Sequence, residues 1–179
     1  SWDNGYVSCI KSISKEISIP NKILFPRFVE SHAHFDKSFS WVNYPNLKSN
    51  YENALSVNLE EHITRTTEKV INRAEKSLTL AIANGYRGIR THIDTYESQD
   101  YNLWSELFNL NLKYSNYLKL QFVALAQLEF WSSDRGEFFA KNFQKHKVIL
   151  GGVLVPPFKR STIIKSLSKT LLLADKYKL

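Results

Sequence analysis

His32 and His34 stand two residues apart, with Asp36 two further on, in the run Ser31-His32-Ala33-His34-Phe35-Asp36. Side chains alternate along a β-strand, so all three would project from one face. Neutral imidazole nitrogen binds zinc or ferrous iron well, and two of them on one strand can grip a single ion from one side. A lone His-x-His arises often by chance, and the competing reading is a polar pair that closes a strand. It supplies only two of the four ligands that a tetrahedral site wants. Other residues carry less. His92 and Asp94 share a face with Arg90, where a hydrogen-bonded supporting role suits them better than ligation. Lys37 could contact a substrate or pair with a nearby acid. His62 and His146 read as surface residues, and Glu129 is a conceivable acid–base group only by position.

The elements that must hold these residues alternate. After short extended runs at 6–10 and 17–25, a strand is predicted at 28–35, followed by a polar loop to about residue 57. Asn58 and Glu61 have the spacing of a capping box, and Ile63, Val70, Ile71, Ala74, Leu78, Ala81 and Ile82 recur at three and four residues. One long amphipathic helix is therefore predicted, closed by Gly85 as a left-handed cap. Strands at 88–95, 118–127 and 148–155 follow, with helices around Leu103 to Phe108, at 133–145 and at 161–177. Strands apolar on both faces that alternate with helices imply a parallel sheet covered on each side. An open dinucleotide-binding sheet would place a Gly-x-Gly-x-x-Gly turn after its first strand, where this chain has the two histidines. The fold expected is α/β: a short β leader over 1–25, then about four βα units over 26–179, the N-terminal half of a (β/α)8 barrel. The His-x-His then falls at the carboxyl end of the first barrel strand, where active sites of this fold are built.

Composition narrows the function classes. The 179 residues are 43% hydrophobic and 23% charged, which is ordinary globular usage. The net charge of +7 is spread over residues such as Lys69, Lys76, Lys165 and Lys169, with no run of like charge, so no nucleic-acid partner is expected. The stretch 148–158 is too short for a bilayer and is broken by Gly151, Gly152, Pro156 and Pro157, so no membrane is expected either. Cys9 is the only cysteine and no signal-peptide core is present, which points to the cytoplasm. The chain lacks methionine and opens at Ser1, which suggests a piece of something longer.

Three segments carry a resemblance to one family. The run from Phe25 through His32, His34, Asp36 and Lys37 to Phe39 is similar to the Pro-Gly-Phe-Val-Glu-x-His-x-His-x-Asp-Lys segment of amidohydrolases related to cytosine deaminase, with Arg27 where glycine is usual. Ala83-Asn84-Gly85 with Arg90-Thr91-His92-Ile93-Asp94 resembles that family's second unit, and Leu120 to Gln127 its third strand. The aromatic pair Phe130-Trp131 after that strand departs from the pattern and bears on substrate choice. The resemblance implies a one-metal hydrolytic deaminase that uses Fe(II) or Zn(II) and a small nitrogen heterocycle such as cytosine, working as a homo-oligomer. His32 and His34 match the first two metal ligands. Gln127 matches the glutamine that reads the pyrimidine edge, a task suited to an amide because it both donates and accepts.

In that family the remaining ligands and the acid–base glutamate come from later strands, with a His-x-Asp-Glu-like motif on the fifth. No such motif occurs in this chain, so the glutamate is expected beyond Leu179 and the chain is expected to be an inactive N-terminal fragment. The alternative is a catalytically dead half barrel that serves as a binding or assembly partner.

Overall fold

The computed structural model describes residues 2–3, 6–7, 9, 25–154 and 156–179. Strands β1 (Trp2–Asp3) and β2 (Tyr6–Val7) form a small antiparallel pair. The extended run expected at 17–25 lies, apart from Phe25, outside the described residues. The main sheet is four parallel strands in sequential order: β3 (Phe28–Ala33), β4 (Tyr86–Asp94), β5 (Lys119–Gln127) and β6 (Ile149–Val153). Helices α2 (Thr67–Ala83), α3 (Asn102–Tyr114) and α4 (Asp134–Phe143) join successive strands, and α5 (Arg160–Tyr177) follows the last. The result is a half barrel, with the sheet curved on one side and the helices packed on the other.

Side-chain alternation divides the work of the sheet. Ile89, Thr91 and Ile93 of β4 and Phe122, Ala124 and Ala126 of β5 are buried against the helices. There Phe122 packs edge-on against Trp104 and Phe108 of α3, and Trp104 meets Phe143 of α4 at 4.6 Å between ring centroids. Burial of such large apolar side chains is the main stabilising term, about 1.5–3 kcal/mol for each of that size. The opposite register holds Arg90, His92 and Asp94 beside Gln121, Val123 and Leu125. The inner face is thus polar along β4 and partly apolar along β5, and Arg90 Nε donates to Gln121 Oε1 across it at 2.7 Å. At β6 the chain needs a small residue: a Cβ on Gly151 would come within 2.7 Å of Val123 Cγ1.

The single helix expected from Asn58 to Gly85 is two helices. The first, α1 (Tyr51–Ile63), starts well before the predicted cap at Asn58, inside the stretch expected to be loop, with the Asn50 side chain accepting from Asn53 N. Helix α2 has its own cap, Thr66, whose side chain accepts from Lys69 N. Asn58 and Glu61 form no capping box, because Asn58 Oδ1 and the Glu61 carboxylate are both taken by Arg65. Of the apolar positions, Val70, Ala74 and Leu78 are buried as expected, whereas Ile63 is 84% exposed. Gly85 closes α2 at φ 79°, a conformation in which only glycine is unstrained.

Candidate functional site

Strand β3 pairs with β4 only as far as Ala33, opposite Thr91, so His32 sits at its carboxyl end and His34 just beyond. Their Nε2 atoms lie 3.1 Å apart. Two nitrogens that share one zinc ion at about 2.1 Å each can be no more than about 4.2 Å apart, so the pair fits a single ion. Without one, the same separation suits an N–H···N hydrogen bond between the rings. Burial, and then the neighbouring Lys37 ammonium, push the His34 imidazole down to about 4, so near neutrality it is uncharged and keeps a nitrogen lone pair for a metal or a proton. Its Nδ1 is buried without a hydrogen-bond partner.

A third imidazole completes the group. His92, on the inner face of β4, stacks on His32 with ring centroids 4.0 Å apart and planes 21° from parallel, and lies 5.5 Å from His34. Lone pairs lie in the ring plane, so a stacked ring does not aim its nitrogens where its neighbour does. This geometry suits support of the His32 ring rather than ligation. Burial, then the His32 ring, hold His92 below its ordinary value. Among the described residues, no group of three or more His, Cys, Asp and Glu is arranged to hold a metal ion.

Asp36 does not share a face with the histidines, because the strand has ended before it. Its side chain is 1% exposed and turns to the helices: Oδ2 accepts from Asp94 N at 2.9 Å and from Arg65 Nη1 at 3.4 Å. Lys37 pairs with a nearby acid, placing Nζ 2.8 and 2.7 Å from the two Asp94 oxygens. Asp94 also accepts from Arg65 at 3.0 Å and from the Tyr96 hydroxyl at 3.1 Å. Burial works to raise the Asp94 carboxyl, but Lys37 and Arg65 hold it below the usual range. Burial, then the adjacent Asp94, push Asp36 up. Glu61 joins from α1, bonded to Arg65 and, at 2.6 Å, to Arg73.

This buried ionic cluster is the part of the site that sequence reasoning missed. Its only local signal was the i,i+4 spacing of Glu61 and Arg65, which on most helices marks a solvated pair. His62 is not a plain surface residue: it packs on the Tyr96 ring at 4.1 Å beside a cavity that Arg65 and Gln99 also line. His146 stacks on Phe108 at 3.5 Å, an outer packing role. Gln127 ends β5, exposed, and with Glu129, Lys159 and Thr162 lines a cavity of about 400 Å³. No helix of the described residues is long and apolar enough to cross a membrane.

The sequence matches no family model. It is 30% identical over 119 residues to a pterin deaminase of Rhizobium rhizogenes strain K84, a match covering 66% of this chain and 27% of that protein. In structure it is similar to 5-methylcytosine deaminase from Klebsiella pneumoniae, with a TM-score of 0.71 and 21% identity over 86% of this chain and 38% of that one. It is also similar to N-isopropylammelide isopropylaminohydrolase from Burkholderia multivorans, with a TM-score of 0.61, 20% identity and the same coverage. The chain therefore spans well under half the length of the relatives it matches. The chain thus shares the half-barrel fold of these solved enzymes over the part of them that it covers, and over 119 residues it is similar in sequence to a pterin deaminase.

Proposed function

We propose that this chain supplies the first half of a metal-dependent hydrolytic deaminase site, in which water displaces a ring amine of a nitrogen heterocycle and ammonia leaves. The observation that carries this reading is the convergence of His32 and His34 Nε2, 3.1 Å apart at the carboxyl end of the first barrel strand. These two residues would hold one Fe(II) or Zn(II) ion. Such an ion supplies hydroxide near neutral pH, since it lowers the pKa of bound water to about 7. His34, kept neutral by burial, offers its nitrogen without first losing a proton. Gln127, at the matching end of β5, would read the edge of the heterocycle through its amide. The names of the similar proteins, which carry pterin, 5-methylcytosine and N-isopropylammelide, favour that substrate class.

Two imidazoles make half of a tetrahedral set, so residues 1–179 by themselves should bind metal weakly and turn over no substrate. The decisive experiment completes the barrel by joining residues 1–179 to the C-terminal part of the Klebsiella 5-methylcytosine deaminase. Ammonia release from cytosine or a pterin with Fe(II) or Zn(II), lost on His32→Ala or His34→Ala, is the expected result. Tight stoichiometric metal binding that survives the double substitution would overturn it.

A further inference from the structure

The sheet stops holding the chain at Ala33, yet the two imidazoles need a fixed spacing, so something beyond the sheet must pin the segment that follows. Four contacts do so. Phe35 N donates to Thr91 Oγ1 at 3.0 Å, and Ser38 Oγ to His34 O at 2.8 Å. Arg73 Nη1 donates to the Asp36 carbonyl at 3.1 Å, and Asp94 N to the Asp36 carboxylate at 2.9 Å. The last two converge on one residue, Asp36. Arg65, 6% exposed at the joint of α1 and α2, bonds Glu61, Asp36 and Asp94, and through Glu61 it shares a carboxylate with Arg73. Its Nη2, which also pairs with Glu61, donates to Asn58 Oδ1 at 3.1 Å.

We propose that Arg65 is a positioning residue for the metal-binding strand end, tying the α1–α2 joint to Asp36 and Asp94 so that His32 and His34 keep their nitrogens on one point. This rests on the deaminase reading only for the identity of what the histidines hold. The joint itself follows from the same contacts. A guanidinium presents several donors in a fixed plane, which lets one residue bridge carboxylates from α1, β4 and the segment after β3, and a lysine cannot do so. A helix running unbroken from α1 into α2 would carry residue 65 along its own axis, whereas the break turns it toward the sheet. The buried charges are balanced within the cluster: Lys37, Arg65 and Arg73 face Asp36, Glu61 and Asp94.

The test compares the 179-residue chain with its Arg65→Met and Arg65→Lys variants by two readouts. The first is the proton contact between the His32 and His34 rings in the metal-free protein, read by nuclear Overhauser spectroscopy on histidine-labelled material. The second is Co(II) affinity, from titration followed by the imidazole nitrogen shifts. Arg65→Met, with far-UV circular dichroism unchanged, should lose the ring contact and weaken Co(II) binding about 10- to 100-fold, the range for residues that orient metal ligands. Arg65→Lys should recover part of each. A folded Arg65→Met protein with the wild-type ring contact would overturn the proposal. Should that variant fail to fold, Arg65→Lys decides in the same way: a weakened ring contact supports the proposal and an unchanged one overturns it. If Arg65→Met loses the ring contact while tight Co(II) binding to the chain survives substitution of both His32 and His34 by alanine, the deaminase reading fails while the positioning role stands.

Discussion

His32 and His34 approach one another because a strand end lets alternate side chains lean together once the ladder has released them, and His92 stacks beneath as a backing plate. The charged residues around them are as informative. Burial acts to raise the Glu61 carboxyl, but hydrogen bonds from Arg65 and Arg73 hold it below its ordinary value of 4.5. A carboxyl whose folded value is depressed adds stability above its unfolded value, and that contribution is lost as pH falls through the folded one. Glu61→Gln should therefore cost about 3–5 kcal/mol near neutrality, where it strips two buried guanidinium groups of their shared anion. The gap between wild type and variant should narrow below about pH 4.5, as urea unfolding at a series of pH values would reveal. A gap independent of pH would mean that Glu61 acts by packing alone. Gln127→Ala belongs to the same scale. In the completed barrel it should raise KM or lower turnover for a pyrimidine while leaving metal content unchanged, and unaltered kinetics would return Gln127 to an ordinary exposed strand end.

At the scale of elements, the break between α1 and α2 is what brings Arg65 inward. Thr66 caps the second helix, so Thr66→Ala should destabilise the chain by about 1 kcal/mol in thermal or urea unfolding. In one continuous helix the same change would be neutral or stabilising, since alanine is the better helix former by up to about 0.7 kcal/mol. The sign of the effect thus separates the two architectures. Strand β6 offers a second test: Gly151→Ala forces a methyl against Val123 and should cost about 1–3 kcal/mol, unless that valine can turn away. The four strands expected from residue 28 onward, and the helices after β4, β5 and β6, agree with the structure to within a few residues, because each has a strong apolar period of its own.

Over the whole molecule, β3 and β6 are the edges of the described sheet, and α5 shows Ile164, Leu167 and Leu171 to solvent at three- and four-residue spacing. Open strand edges and apolar stripes of this kind favour association. The 179-residue chain should accordingly sediment as a concentration-dependent mixture. Leu171→Lys, at a side chain 62% exposed, should shift that mixture toward monomer with little change in Tm. A lone monomer across the concentration range would show that these surfaces are tolerated as they stand.

The sequence by itself determined the order of strands and helices, the parallel half barrel they form, and the strand-end position of His32, His34 and Gln127. These follow from local periodicity and from motifs carried in short unbroken segments, which no distant contact can rearrange. It did not determine the course of residues 34–66. There Asn58 and Glu61 satisfy the spacing rule for a helix start, yet their side chains are claimed by Arg65, and Asp36 leaves the face that alternation assigns to it. Those outcomes belong to the tertiary structure alone. A buried charge is tolerated only where its partners meet it, and the partners here come from α1, α2, β4 and the segment after β3, which the chain brings together only by folding.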